Sequence, residues 1–63
     1  MAIYKLKALE THKTVDIWVN SSAHVTVKAI DAEDAREKAL VLLGNPQEQY
    51  KWIIVIEEVQ DED

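Results

Sequence analysis

The 63-residue sequence has no cysteine, one glycine and one proline. The lack of cysteine excludes disulfide bonds, cysteine-bound zinc and thiol catalysis, and it leaves two histidines as conventional nitrogen ligands for a metal. One glycine is too few for a glycine-rich phosphate-binding loop. With 48% hydrophobic and 30% charged residues, the composition is that of an ordered globular chain and not of a linker.

The chain is short enough to form one domain at most. A domain of about 60 residues buries only about 60% of the surface that its unfolded chain exposes. Without disulfides or an expected metal, such a domain must pack very well or gain buried surface from a second subunit. Oligomerisation is therefore part of the expectation.

The negative charge is concentrated at one end. Residues 1–56 hold seven acids and seven bases, so the net charge of −5 comes from the last seven residues. The five acids there are Glu57, Glu58, Asp61, Glu62 and Asp63. A charged terminus is usually solvated and loose; the alternative is that these acids hold a basic surface of a partner.

No long hydrophobic run is present. A membrane-spanning helix needs roughly 20 apolar residues, and the N-terminal segment alternates lysines with apolar residues instead of forming the core of an export signal. We therefore expect a cytoplasmic protein.

Alternation of apolar and polar residues predicts strands in the first half of the chain. Polar residues typical of turns separate them. The predicted strands cover residues 1–10, 15–19 and 25–29, with turns at 10–13 and 20–22. One long bent strand with a bulge is an alternative for residues 15–29, and we predict two strands.

A helix is predicted from Ala32 to Leu43. Asp31 is a suitable N-cap, acids follow in the first turn, and Gly44 and Pro46 end the helix. Its predicted packing face consists of Ala32, Ala35, Ala39, Leu42 and Leu43.

The strongest predicted strand covers residues 50–59. Its uninterrupted apolar run from Trp52 to Ile56 is typical of a strand that is covered on both faces, and one helix can cover only one. The predicted fold is α+β: an antiparallel sheet of three or four strands in the order β-β-β-α-β, with one helix packed on one face. Residues 1–59 would form the domain, and residues 60–63 an acidic tail.

The face away from the helix collects a second set of apolar residues. They are Ile3, Leu9, Trp18, Ile30, Ile53 and Val55, with Val59 as a further candidate, interleaved with Lys5, Lys7, Asp16, Thr26 and Lys28. A monomer rarely exposes a large apolar patch without a purpose. A homodimer, a larger partner, or coverage by lysine stems and the tail are the three explanations. The expected partner-binding residues are Ile3, Trp18, Ile53, Val55, Glu57 and Glu58.

The pattern of reactive side chains predicts no catalytic, cofactor or metal site. His12 and His24 are twelve positions apart, a spacing that imposes no common metal coordination. Ser21 and Ser22 lie near His24 in sequence but lack a third partner to orient a base. We expect no enzyme activity and no cofactor.

Nucleic-acid binding is a weaker interpretation. Three aromatic residues on a sheet with three lysines could stack bases; they are Tyr4, Trp18 and Trp52, with Lys5, Lys7 and Lys28. A neutral body and an acidic end argue against binding to a polyanion.

One segment carries a resemblance. Residues 25–40, VTVKAIDAEDAREKAL, resemble the strand, capping acid and alanine-rich helix of small β-β-α-β proteins from phages and mobile elements, including DpnD/PcfM-like proteins. The segment is about a quarter of the chain, and the strand predicted within residues 14–22 departs from the shortest form of that pattern. The resemblance implies an accessory or inhibitory binder of a host protein, located in the host cytoplasm.

We therefore expect a small protein-binding module that self-associates. The alternatives are a nucleic-acid binder and a structural subunit of a larger assembly.

Overall fold

The computed structural model describes residues 1–15 and 17–61. Within them, the elements follow the order β1 (Ala2–His12), β2 (Val19–Ala29), α1 (Ala32–Leu43) and β3 (Tyr50–Asp61). β1 is the central strand of an antiparallel sheet with the strand order β2-β1-β3. The predicted α+β class is confirmed, with three strands in the described part of the chain.

The separate strand predicted over residues 15–19 is not found. Val15, Ile17 and Trp18 lie in the loop between β1 and β2, and Asp16 lies outside the described residues. The turn predicted at residues 20–22 is inside β2, where Asn20 is the extra residue of a bulge. The described order is therefore β-β-α-β. Polar side chains that favour turns are held in a strand here because Asn20 and Ser21 donate hydrogen bonds to a neighbouring strand.

The helix has the predicted bounds, Ala32–Leu43. Asp31 caps it, since its carboxylate accepts a hydrogen bond from the Asp34 N–H at 2.8 Å. At the other end Gly44 has a φ of 76°, which favours glycine, and its N–H donates to the Leu40 carbonyl at 3.0 Å.

Small residues form the contact between the helix and the sheet. Ala35 and Ala39 are the buried residues of α1, and the helix contacts chiefly β2. The core cluster consists of Ala2, Tyr4, Leu6, Val27, Ala29, Ala35 and Ala39. The helical wheel predicts Leu42 on the packing face, but Leu42 is 67% exposed. The contact with the sheet is made by Ala39 and Ala35, about one and two turns earlier in the helix.

Strand β3 continues past its predicted end at residue 59. Gln60 is opposite Ile3, and Asp61 is opposite Ala2. Both residues had been assigned to the acidic tail, whose remaining residues, Glu62 and Asp63, lie outside the described residues.

Candidate protein-binding surface

The sheet surface opposite the core cluster is called the open face. Residues directly opposite each other in antiparallel strands project to the same side, so the register assigns its members. They are Ile3, Lys5, Lys7 and Leu9 from β1, Lys28, Thr26, His24 and Ser22 from β2, and Gln60, Glu58, Val55 and Ile53 from β3.

Three of these residues form an apolar ridge, namely Leu9, Ile53 and Val55. Leu9 is opposite Ile53, and the next pair on this face places Val55 opposite Lys7. Leu9 and Ile53 are half-buried, while Val55 is 46% exposed. Ile3 also lies on the open face, but the Lys5 and Glu58 pair separates it from the ridge. The register thus brings Ile53 and Val55 together and places Ile3 apart from them.

Both glutamates expected to contact a partner form ion pairs within the chain. The Lys5 Nζ lies 3.0 Å from Glu58 Oε2, and the His24 Nε2 lies 3.5 Å from Glu57 Oε1. Such exposed pairs contribute little to stability. They place a basic side chain beside each of the two glutamates at the border of the apolar ridge.

A bulge in β3 changes the position of Val59. Lys5 is opposite Glu58 and Leu6 is opposite Ile56, so Glu57 is the extra residue. Val59 is therefore opposite Tyr4, on the core side of the sheet, and is not part of the open face. The alternation of apolar residues alone cannot reveal this shift because one extra residue exchanges the two faces.

Trp18 does not join the ridge. It lies in the β1–β2 loop, 58% exposed, with its ring centroid 5.5 Å from that of His12 in an edge-on arrangement. His12 is also edge-on to Tyr50 at 5.6 Å. His12 is three residues along β1 from Leu9, so this aromatic cluster lies about 10 Å beyond the end of the ridge.

Ile30 also lies outside the sheet. It follows the last residue of β2, Ala29, and is 72% exposed. Ile30 therefore lies outside the register that defines the open face.

Glu10 fixes the loop that precedes β3. The residue is 5% exposed, and its carboxylate accepts hydrogen bonds from the Gln47 N–H at 2.9 Å, the Asn20 amide at 2.6 Å and the Ser21 hydroxyl at 3.2 Å. The Gln47 N–H is the main cause of a pKa below the ordinary 4.5, followed by the Asn20 amide; burial acts in the opposite direction. Sequence reasoning placed Glu10 in a turn, and no local signal indicated this role.

The aromatic and lysine residues of the nucleic-acid interpretation are on different surfaces. Tyr4 is 8% exposed in the core cluster, and Trp52, opposite Glu10, donates from its Nε1 to the Gly44 carbonyl at 2.9 Å. Lys5 and Lys7 lie on the open face. The structure thus offers no shared platform of these aromatics and lysines.

Residues 1–15 and 17–61 contain no group of three or more potential metal ligands among His, Cys, Asp and Glu. The Ser21 hydroxyl donates to Glu10, and His24 is paired with Glu57. No helix in the same part of the chain has the length and apolar character needed to cross a membrane.

Sequence reasoning missed a second apolar surface, on the outer side of α1. Val41 is 83% exposed and lies beside the exposed Leu42. These two residues line a groove of about 440 Å³ with Thr26, Val27 and Lys38. We call this the outer groove. The sequence does indicate this apolar surface, because no charged residue occurs from position 39 to position 47.

No protein-family model, curated protein or solved structure matches this chain.

Proposed function

We propose that this chain is a small non-enzymatic protein-binding module that self-associates, and that the open face is its surface for another protein. In this proposal α1 packs chiefly against β2 on one side of the sheet, and the opposite side stays accessible. The observation that carries it is the exposure of the apolar run in β3. Of the five residues from Trp52 to Ile56 none is fully buried, and Val55 is 46% exposed.

The burial of this run by a partner would be favourable. Complete burial of one medium-sized apolar side chain contributes about 1.5–3 kcal/mol. The described core is small, since Leu6 and Thr11 are its largest fully buried side chains. A partner on the open face would therefore supply hydrophobic burial that the folded chain lacks.

The charges around the ridge define the chemistry of that partner. Lys7 lies on the open face opposite Val55 of the ridge, whereas Lys5 is paired with Glu58, and Glu57 lies beside His24. Complementarity then favours an apolar protein surface that is bordered by carboxylates. The acidic end would not need to contact a basic partner surface.

The resemblance to phage and mobile-element proteins is compatible with this proposal. The described order β-β-α-β is the one that the resemblance to the small DpnD/PcfM-like proteins implies. We include in the proposal an accessory or inhibitory role towards a host protein.

The first test compares two exposed valines on the same strand but on opposite faces. Val55→Glu interrupts the ridge. The new carboxylate lies opposite Lys7 of β1, and this pair of opposite charges should preserve the sheet. Val59→Glu is the matched control, since Val59 is 50% exposed on the other face. After affinity capture from the organism that encodes the chain, quantitative mass spectrometry should find about tenfold less of the specific partner with Val55→Glu, as expected for the loss of about 1.4 kcal/mol.

Circular dichroism would establish that both variants are folded. Equal recovery with Val55→Glu and wild type would refute the open face as the binding surface. Recovery that disappears after nuclease treatment would replace the protein partner with a nucleic acid.

A further inference from the structure

The outer groove lies beside an unpaired strand edge. β2 is eleven residues long and is at one edge of the sheet, so its outer side pairs with no strand in the described part of the chain. Thr26 and Val27 of this strand line the groove together with Val41 and Leu42 of α1. An apolar helix surface and a hydrogen-bonding strand edge are thus presented side by side.

Most of this edge lacks the usual protection against pairing; the exception is its C-terminal end, where β2 carries Lys28 and the Lys38 ammonium donates to the Lys28 carbonyl. Natural edge strands commonly carry lysine or other charged residues, or proline, which prevent association with another strand. Residues 19–27 of β2 contain no Asp, Glu, Lys, Arg or Pro. His24 is the only titratable side chain among them, and it is paired with Glu57 on the open face.

The charge distribution restricts the surface through which two copies could associate. Two copies of a chain with a net charge of −5 repel each other, so a contact between identical surfaces needs a region without like charges. Residues 19–27 and 39–47 form such a region on the β2 edge and the C-terminal half of α1. The one charged residue that lines the groove is Lys38, whose ammonium lies 3.1 Å from Asp34 and donates to the Lys28 carbonyl at 2.8 Å.

We infer that a second copy of this chain pairs β2 against β2, antiparallel and about a two-fold axis, and that Val41 and Leu42 of each copy enter the region of the other's outer groove. The product is a six-stranded sheet in the order β3-β1-β2-β2-β1-β3, with the two helices side by side. This deepens the self-association that is part of the proposed function. The open face remains accessible in the dimer.

The edge that would pair is long. β2 has eleven residues and spans about 36 Å, so a symmetric pair with the helix surfaces beside it is expected at the small end of standard interfaces, about 1,200 Å² in total. Strand pairing adds hydrogen bonds between backbone groups along β2. A dimer of this size is expected to dissociate on dilution.

The test measures molar mass by light scattering behind a sizing column over a range of concentrations. The wild type should move from 7.2 kDa towards about 14 kDa as the concentration rises. Val41→Lys should remain near 7.2 kDa, because it places like charges at the axis. Ile17→Lys is the matched control. Ile17 lies in the β1–β2 loop and is 85% exposed, close to the 83% of Val41, so this variant should behave as wild type.

Amide hydrogen exchange provides a second readout that does not depend on a variant. Exchange in β2 should slow as the concentration rises, while exchange at the outer edge of β3 should not change. A wild-type mass of 7.2 kDa at every soluble concentration would overturn the inference. A dimer that Val41→Lys leaves intact, or that Val55→Glu dissociates, would also overturn it.

The proposed binding surface and the proposed dimer can be refuted independently of each other. Val55→Glu tests the open face and should remain dimeric, whereas Val41→Lys tests the dimer and should still fold with its open face intact. Loss of partner capture without loss of the dimer, and the reverse, therefore identify which surface was assigned wrongly.

Discussion

Glu10 is a buried carboxylate held by neutral donors. Its partners come from β2 and from the loop before β3, so one side chain links three parts of the fold. The ionised form accepts these hydrogen bonds better than the protonated form, which explains the lowered pKa of Glu10. Its role is to position the segment that enters β3.

This arrangement predicts a pH-dependent stability. Because the pKa of Glu10 in the folded chain is below the ordinary 4.5, its stabilising effect is complete above that value and is lost as the pH falls through the folded pKa. Glu10→Gln should lower the melting temperature at pH 7, and the difference from wild type should shrink as the pH falls below about 4.5. Thermal unfolding followed by circular dichroism between pH 7 and pH 3 measures it.

Asp34 provides an internal control for that experiment. Its pKa is also lowered, chiefly by the Ile30 N–H and then by Lys38, and it is present in both proteins. Its contribution cancels in the difference between wild type and Glu10→Gln. A difference that is the same at pH 7 and pH 3 would show that Glu10 acts through its shape and not through its charge.

At the level of elements, α1 has well-defined ends but a small contact with the sheet. The Asp31 side chain satisfies the Asp34 N–H, and Gly44 closes the last turn. Between them, Ala35 and Ala39 allow the helix to approach the sheet closely. A helix with so small a buried face depends strongly on its caps.

Removal of the Asp31 side chain should therefore lower the stability of the fold by a measurable amount. We expect Asp31→Ala to lower the free energy of unfolding by about 1 kcal/mol, because an N–H in the first turn loses its acceptor. Asp31→Asn is the matched control, since asparagine is an equally good cap, and it should recover most of the loss. Urea denaturation measures both. Equal destabilisation by the two substitutions would assign the effect to the negative charge near the helix dipole instead.

At the level of the whole molecule, charge and apolar surface are segregated. Lysines lie on the open face, acids lie in the first turn of α1 and at the end of β3, and the β2 edge with the outer groove is nearly free of charge. Two of these environments, the open face and the uncharged edge, suit different partners. The open face suits a protein bordered by carboxylates, and the uncharged edge suits a second copy.

The net charge predicts how the dimer responds to salt. Two molecules of charge −5 repel each other at low ionic strength, and the Debye length falls to about 10 Å at 0.1 M salt. The dimer should therefore become tighter, by a few fold in its dissociation constant, when salt is raised from low to moderate concentration. Sedimentation equilibrium measures this change. A dimer that salt dissociates would indicate ion pairs across the interface and contradict an uncharged contact.

The sequence predicts many of the residues on the open face, but it does not predict how they are placed relative to one another. Ile53 and Val55 were expected on the face away from the helix because any register of an uninterrupted apolar strand exposes one of its two sides. The exclusion of Trp18 and Val59 was not predictable, because it depends on the length of the β1–β2 loop and on a bulge at Glu57. The contact of Glu57 and Glu58 with a partner stays a prediction, and within the chain Glu58 meets Lys5 of β1 while Glu57 meets His24 of β2.

The sequence by itself determined the α1 bounds and the apolar character of β3. Caps and periodic patterns act between residues at most a few positions apart, so they can be recognised locally. Only the tertiary structure decided the strand order, the two bulges and the exposure of Val41 and Leu42. These features depend on pairs that are distant in the chain, such as Glu10 and Gln47, 37 positions apart, whose contact exists only after the sheet has formed.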